Sequence, residues 1–501
     1  MKKLLVYSLL LLQACLWISC YKDKGNYTYH DLNEITFQNI DTTNGYTAVF
    51  GNTLSITPKI IGTLDPDGTS RVYKYEWTYD KGADPDTVIS VSRDLNVKIN
   101  VPPGTYVLQY KVTDSLTNVS YHIRTRVNVT TDVFEGYFVL NDVNGVSRLD
   151  MLSYQATPKT FTQYTDVLKK MGSSLPPQGK PYQVFCVETA YPGYGTPDSY
   201  YIYLLTASGT NRIQSETFAW DAQKTLLYEM FGNVPNDFKA ERFTCEMVNG
   251  TSPTNLMYAA NNAYMRTSNS GFVFQYLPVN AYQGGIGTFK VSPYMVTDGY
   301  ESILFNMDKR TFVDLYGNTA TSVNDVAPAL NYPTGKDLVF MTRNYTENCH
   351  AILKDPAGSN YYIARFIIGA ATTYYDQIMG TDIALATNFA VSPDLGYLFY
   401  SVGGKVYEYD LSLKTSKLMI DKGAAQITYL DFQNFFARAS KTTYTDWSKL
   451  LIVGSYDPGG PAGSNGTLEQ YAVQPVNAQI TLVNKWTGFG KIASVSYRER
   501  N

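Results

Sequence analysis

Histidine is the scarcest of the residues that do chemistry: His30, His122 and His350 are the whole supply in 501 residues. A Ser-His-Asp or Cys-His hydrolase needs an imidazole beside its nucleophile. Cys349 and His350 are adjacent, a spacing that suits neither a nucleophile–base pair nor a zinc pair. No Cys-x-x-Cys or His-Glu-x-x-His is present, so no zinc centre is expected. All three histidines read as structural or surface residues. A glycosidase needs only two acids held about 5–9.5 Å apart, but the sequence singles out no such pair. Ser392-Pro393-Asp394-Leu395-Gly396 has the form of a turn capped by its aspartate. Asp65-Pro66-Asp67-Gly68 and Asp84-Pro85-Asp86 gather oxygens as a calcium loop does, calcium taking about 6–8 of them. Asp65, Asp67, Asp84 and Asp86 are therefore the calcium candidates. The same residue types are what tight turns demand, neither stretch fits the EF-hand pattern, and the expectation is no metal and no cofactor.

The residues best suited to touching a ligand are aromatic side chains in loops. Tyr191, Tyr194 and Tyr200 punctuate a Gly- and Pro-rich segment, Tyr374-Tyr375-Asp376 is similar, and Tyr456 precedes Asp457-Pro458-Gly459-Gly460. A tyrosine offers a flat apolar face and a hydroxyl at little conformational expense, which serves sugar rings, peptide side chains or a partner protein. Low Trp weighs against a glycan platform, so oligopeptide leads narrowly. One further cysteine has chemistry of another kind. Lys2 and Lys3 precede an apolar run ending in Leu16-Trp17-Ile18-Ser19-Cys20, the pattern of a secretory signal. That run is shorter than the roughly 20 residues that span a bilayer as a helix. Small Ser19 before Cys20, with a polar tether from Tyr21 onward, resembles a bacterial lipobox with Cys20 as the acylated residue; Leu12-Gln13-Ala14-Cys15 is the rival site. Several acyl chains on one cysteine anchor a protein stably. Cys186, Cys245 and Cys349 remain, an odd count that argues against a disulfide framework.

The elements that must carry these residues are strands. The chain has 43 Tyr beside 23 Phe and 5 Trp, and tyrosine favours half-buried sheet surfaces. Charged residues are 17%, hydrophobic ones 44%, which excludes a disordered chain, and a net charge of −3 gives no basic excess for nucleic acid. Ile35–Phe37, Leu54–Ile61, Tyr73–Tyr79, Asn96–Val101, Tyr106–Thr113 and Tyr121–Val129 read as strands of an immunoglobulin-like sandwich, with Trp77 in its core. From about Phe134 the rhythm changes to hairpin repeats. The clearest runs from Asn388 to Leu411: strand, Pro-Asp-Leu-Gly turn, strand, Gly-Gly turn, strand, with Lys417–Ile420 as a fourth. A four-strand meander of about 40 residues is one blade of a β-propeller. Looser cousins begin near Tyr137, Tyr200, Asn255, Tyr300, Asp337 and Leu450. That predicts seven blades, with six or eight as alternatives, and Tyr137–Leu140 and Ala493–Tyr497 as the pair closing the ring.

Cys20-Tyr21-Lys22-Asp23-Lys24-Gly25-Asn26-Tyr27-Thr28-Tyr29-His30-Asp31-Leu32-Asn33-Glu34-Ile35 resembles the mature start of the PKD-like family lipoproteins of Bacteroidetes. Tyr75-Glu76-Trp77 and Tyr106–Asp114 are similar to PKD strands, although a Gly-Asp-Gly after the tryptophan is absent. The resemblance implies an outer-membrane lipoprotein that accompanies a TonB-dependent transporter and its lid lipoprotein in a Sus-like uptake system. It brings no catalytic residue set. The expected organisation is a lipoprotein signal peptide (1–19), a lipidated tether (20–33), a PKD/Ig-like β-sandwich (34–131) and a β-propeller (132–501), all-β throughout. The expected function is non-enzymatic capture of oligopeptide or oligosaccharide at the cell exterior. A surface glycoside hydrolase or lyase on the propeller, or a purely structural transporter partner, are the alternatives.

Overall fold

The computed structural model describes residues 31–80, 87–156, 158–188, 200–248, 252–269, 272–273, 275–285, 287–436 and 441–500. The chain divides into two units, residues 1–130 and 131–501. In the first unit, β1 (Ile35–Gln38) pairs β4 (Lys59–Gly62) and β3 (Thr53–Ile56) pairs β7 (Leu95–Lys98). A five-stranded sheet runs β2 (Tyr46–Val49), β9 (Ser120–Thr130), β8 (Gly104–Asp114), β5 (Tyr73–Asp80), β6 (Thr87–Ser90). The run expected as one strand, Leu54–Ile61, is two. Pro58 has no N–H to give a ladder, and around it the chain leaves its pairing with β7 for one with β1. β2, parallel to β9, and β6 are additional to the strands expected, each only four residues long. Alternation along β8 sends Leu108, Tyr110 and Val112 into the core. There Tyr110 stacks 4.2 Å from the fully buried Trp77, whose indole N–H donates to the Ser92 carbonyl at 3.1 Å. Trp77 packs, as its place in the sequence predicts.

The described residues of the second unit form seven antiparallel sheets. From the inside outward the first is β37 (Lys491–Arg498), β10 (Gly136–Val143), β11 (Val146–Gln155), β12 (Thr160–Tyr164). The second is β13 (Pro181–Glu188), β14 (Tyr200–Thr206), β15 (Gly209–Gln214), and the third β16 (Arg242–Val248), β17 (Ser252–Ala259), β18 (Asn262–Asn269) with short β19 (Phe272–Val273) and β20 (Leu277–Pro278). The fourth is β21 (Val296–Thr297), β22 (Glu301–Asn306), β23 (Thr311–Tyr316), β24 (Asn324–Asp325), and the fifth β25 (Asp337–Arg343), β26 (Cys349–Lys354), β27 (Tyr361–Phe366), β28 (Tyr374–Gln377). The sixth is β29 (Asn388–Val391), β30 (Leu398–Val402), β31 (Lys405–Asp410), β32 (Thr415–Asp421), and the last β33 (Gln426–Phe432), β34 (Leu450–Tyr456), β35 (Gly466–Ala472), β36 (Thr481–Phe489). Short helices α1 (Val167–Lys170) and α2 (Thr442–Trp447) lie in connections, and no helix among the described residues is long and apolar enough to cross a membrane.

The inner strands are neighbours in the order β37, β13, β16, β21, β25, β29, β33 and back to β37, so the sheets close a ring, a β-propeller. Each sheet buries both faces, one against each neighbour. In Tyr137-Phe138-Val139-Leu140 of β10, residues 137 and 139 enter the core shared with the last sheet, while 138 and 140 enter the core shared with the second. Ring closure follows the expected pair: Tyr137 stands opposite Tyr497, Val139 opposite Val495 and Leu140 opposite Ser494.

Candidate functional site

An inner strand has no further strand to pair with, so its inward N–H and C=O groups need other partners. Neighbouring inner strands supply them from side chains. The Val184 and Cys186 N–H groups of β13 donate to Ser494 Oγ (3.2 Å) and Ser496 Oγ (3.1 Å) of β37. Gln183 brackets Phe243 of β16, its Oε1 accepting from the N–H at 2.6 Å and its Nε2 donating to the carbonyl at 3.1 Å. The Tyr497 N–H donates to Gln433 Oε1 at 3.1 Å. What these edges enclose is a cavity of about 380 Å³ lined from all seven inner strands, within the size range of small-molecule sites.

Besides the exposed Glu241, charge in the cavity is arranged in three groups. Arg343 Nη1, at the end of β25, meets Glu246 Oε2 at 2.9 Å, and Asn434 Nδ2 reaches the same oxygen at 3.4 Å. Asp431 takes the Tyr429 hydroxyl on Oδ2 and the Phe432 N–H on Oδ1, both at 2.9 Å. Burial pushes the Asp431 carboxyl up and, with Asp431 beside it, the Tyr429 hydroxyl too. The third group is Arg242, whose guanidinium lies 4.7 Å from the Tyr294 ring centre. Tyr294 meets Phe340 edge to face at 5.3 Å, and Phe340 lies 6.0 Å from Phe389, so aromatic faces continue across three successive sheets. Cys186 and Cys245 also line the cavity. Burial pushes the Cys186 thiol up to about 12 and the Cys245 thiol well above its ordinary value, so neither is a thiolate nucleophile. The arrangement can bind by charge, hydrogen bonds and stacking.

A second titratable constellation lies outside the cavity, where β22 and β23 carry Glu301 and Asp314. Burial first, then the neighbouring Asp314, raises Glu301 to about 7. Burial also raises the Asp314 carboxyl, and Asp298 adds negative field to both.

The sequence-derived candidates fall elsewhere. Cys20, Cys15, Tyr191, Tyr194, Asp84 and Asp86 lie outside the described residues. Tyr200 is not a loop side chain: it opens β14, burial drives its hydroxyl well above its ordinary pKa, and that oxygen accepts the Glu499 N–H at 3.0 Å. Tyr374 and Tyr375 sit on the outer strand β28, Tyr374 donating to the Leu411 carbonyl at 2.9 Å and the exposed Tyr375 stacking on Tyr362 at 5.8 Å. Tyr456 ends β34, its hydroxyl 3.2 Å from Gln426 Oε1. None of these four lines the cavity. Asp65 is buried and resists ionisation on that account, yet donors from its own turn overcome this and hold it at about 2: the Ser70 hydroxyl (2.6 Å) and N–H (3.0 Å), Tyr73 Oη (2.9 Å) and the Thr69 N–H (3.1 Å). Its oxygens serve the turn. Asp67 is exposed, and no group of three or more His, Cys, Asp or Glu able to hold a metal occurs among the described residues. Ser392-Pro393-Asp394 is a turn, with Ser392 Oγ 3.1 Å from Asp394 Oδ1 and Gly396 at φ 74°. Sequence reasoning missed Arg242, Tyr294, Phe340 and Phe389. Their one signal is recurrence at intervals of about 50 residues, the length of one repeat.

Residues 20–181 match the model of the PKD-like family, a stretch that runs past the first unit into the first sheets of the second. Among solved structures, a quinonprotein alcohol dehydrogenase-like protein from Bacteroides thetaiotaomicron is similar at 12% identity, over 94% of this chain and 99% of that one, with a TM-score of 0.47. A protein from Lactobacillus plantarum is similar at 11% identity, over 73% of this chain and 100% of that one, with a TM-score of 0.43. Comparison with the curated proteins gives no match.

Proposed function

We propose that the chain is a lipid-anchored protein of the bacterial outer membrane, held by Cys20 and facing the cell exterior. Its seven sheets act as seven propeller blades whose central cavity captures oligopeptide or oligosaccharide for a TonB-dependent, Sus-like transporter and its lid lipoprotein. The capture is non-enzymatic. The observation that carries the reading is the cavity itself, which offers a cation, aromatic faces and hydrogen-bonding groups while Glu246 and Asp431 are each already engaged. The match to the PKD-like family over residues 20–181 supports the surface placement.

The test is thermal shift of the purified chain with a panel of peptides and glycans, because a ligand that binds the folded state alone raises the midpoint by mass action. A raised midpoint with the ligand recovered intact is the expected outcome. Release of products from the panel would replace capture with a hydrolase or lyase. Co-purification with the transporter, with no midpoint shift from any ligand, would leave a structural partner.

A further inference from the structure

We propose that Arg242 is the anchor of the cavity's ligand and that the group it takes is a carboxylate. This rests on the capture reading and names the chemistry of what is captured. Arg242 begins β16 and lines the cavity half-buried. Most other arginines of the second unit are held by acids, among them Arg343 by Glu246 at 2.9 Å, Arg148 by Asp150 at 2.6 Å and Arg266 by Glu229 at 2.6 Å, while Arg365 donates to Thr373 Oγ1 at 3.3 Å. Arg242 has no ion pair and no side-chain hydrogen bond among the described residues; its one contact of this kind is the Tyr294 ring. Stacking occupies the face of a guanidinium and leaves its edge of N–H donors for another group.

The cavity's own acids do not fill that place. Glu246 is bound to Arg343, Glu241 takes the Ala260 N–H on Oε1 at 3.1 Å, and both oxygens of Asp431, the acid whose field reaches Arg242, accept from Tyr429 and Phe432. A fixed cation with unused donors selects an anion, and the fork of a guanidinium matches the two oxygens of a carboxylate. Tyr294, Phe340 and Phe389 lead away from the anchor as apolar faces for the body of the ligand. A peptide α-carboxylate and a sugar uronate share this chemistry.

Calorimetry on the full chain separates the sources with four probes: trialanine, its C-terminal amide, trigalacturonate and neutral galactotriose. An acid that binds about tenfold or more tighter than its neutral counterpart at low salt is the expected result. Arg242→Gln should abolish that gap and Arg242→Lys keep part of it. A gap in the trialanine pair assigns a peptide terminus, and a gap in the sugar pair a uronate. Equal binding of acid and neutral probe overturns the carboxylate while capture stands, and a gap that survives Arg242→Gln overturns the anchor. Should Arg242→Gln fail to fold, the acid–neutral comparison in the unaltered protein decides. Binding of none of the four overturns the inference, and a thermal shift with another panel member would then still support capture.

Discussion

Glu408 and His350 are buried titratable side chains, each 1% exposed, and neither the carboxyl oxygens of one nor the ring nitrogens of the other find a hydrogen bond among the described residues. Burial raises Glu408 to about 7, against a smaller opposing pull from Lys417, and lowers His350 to about 3, helped by nearby Arg365. Their linkage to stability has opposite sign. Glu408 folds best protonated, so its contribution is complete below its unfolded value near 4.5 and is lost as pH rises through about 7. His350 folds best neutral, so its contribution is complete above 6.5 and is lost as pH falls toward 3. Urea midpoints at pH 5 and 7.5 should show Glu408→Gln gaining on the unaltered protein as pH rises, and His350→Asn gaining on it as pH falls. Each change should be on the order of 1–3 kcal/mol, and parallel pH curves for variant and unaltered protein would contradict the assignment. That His350 is structural was legible from the scarcity of histidine. Its burial was not, because the turn of β26 toward the sixth sheet is decided by residues far away in the chain.

At the level of strands, the inward edges of the ring depend on Ser494 and Ser496, whose hydroxyls accept the Val184 and Cys186 N–H groups. Ser494→Ala and Ser496→Ala each leave a buried amide without its acceptor, which should destabilise the second unit by about 1–3 kcal/mol per site. Ser412→Ala, in an exposed turn, should change little. Chemical denaturation checks this, and unaltered midpoints would show that water replaces the hydroxyls. The same geometry explains what the sequence disclosed. Tyr137, Tyr200, Asn255 and Leu450 fall in β10, β14, β17 and β34, second strands covered on both faces and paired on both edges, and therefore the most continuously apolar. Three inner strands were legible as well, β25 from Asp337, β29 from Asn388 and β37 from Ala493–Tyr497, whereas β21 is only two residues long. Periodicity finds such strands without marking which of their side chains line the cavity, and that is why Arg242, Tyr294, Phe340 and Phe389 escaped it.

For the molecule as a whole, ring closure was legible because Tyr137–Leu140 and Ala493–Tyr497 are complementary runs at the two ends of one unit. The PKD-like unit was legible because Trp77 and the alternation in Tyr106–Val112 mark a sandwich core. Attachment to a membrane is a separate question, carried by one atom. Lys2 and Lys3 with the apolar run after them can enter the export machinery, but that run is too short to hold the protein in a bilayer of about 30 Å. On the proposed anchoring, retention comes from acyl chains, at about 0.8 kcal/mol per buried CH₂, all borne by Cys20. Cys20→Ala should move the protein from the membrane pellet to the soluble fraction and remove the acyl mass from its N-terminal peptide. The melting transitions of the released protein should match those of the unaltered one. Retention of Cys20→Ala with lipid on residue 15 would transfer the anchor to Cys15, and an unacylated mature terminus in the unaltered protein would remove it altogether.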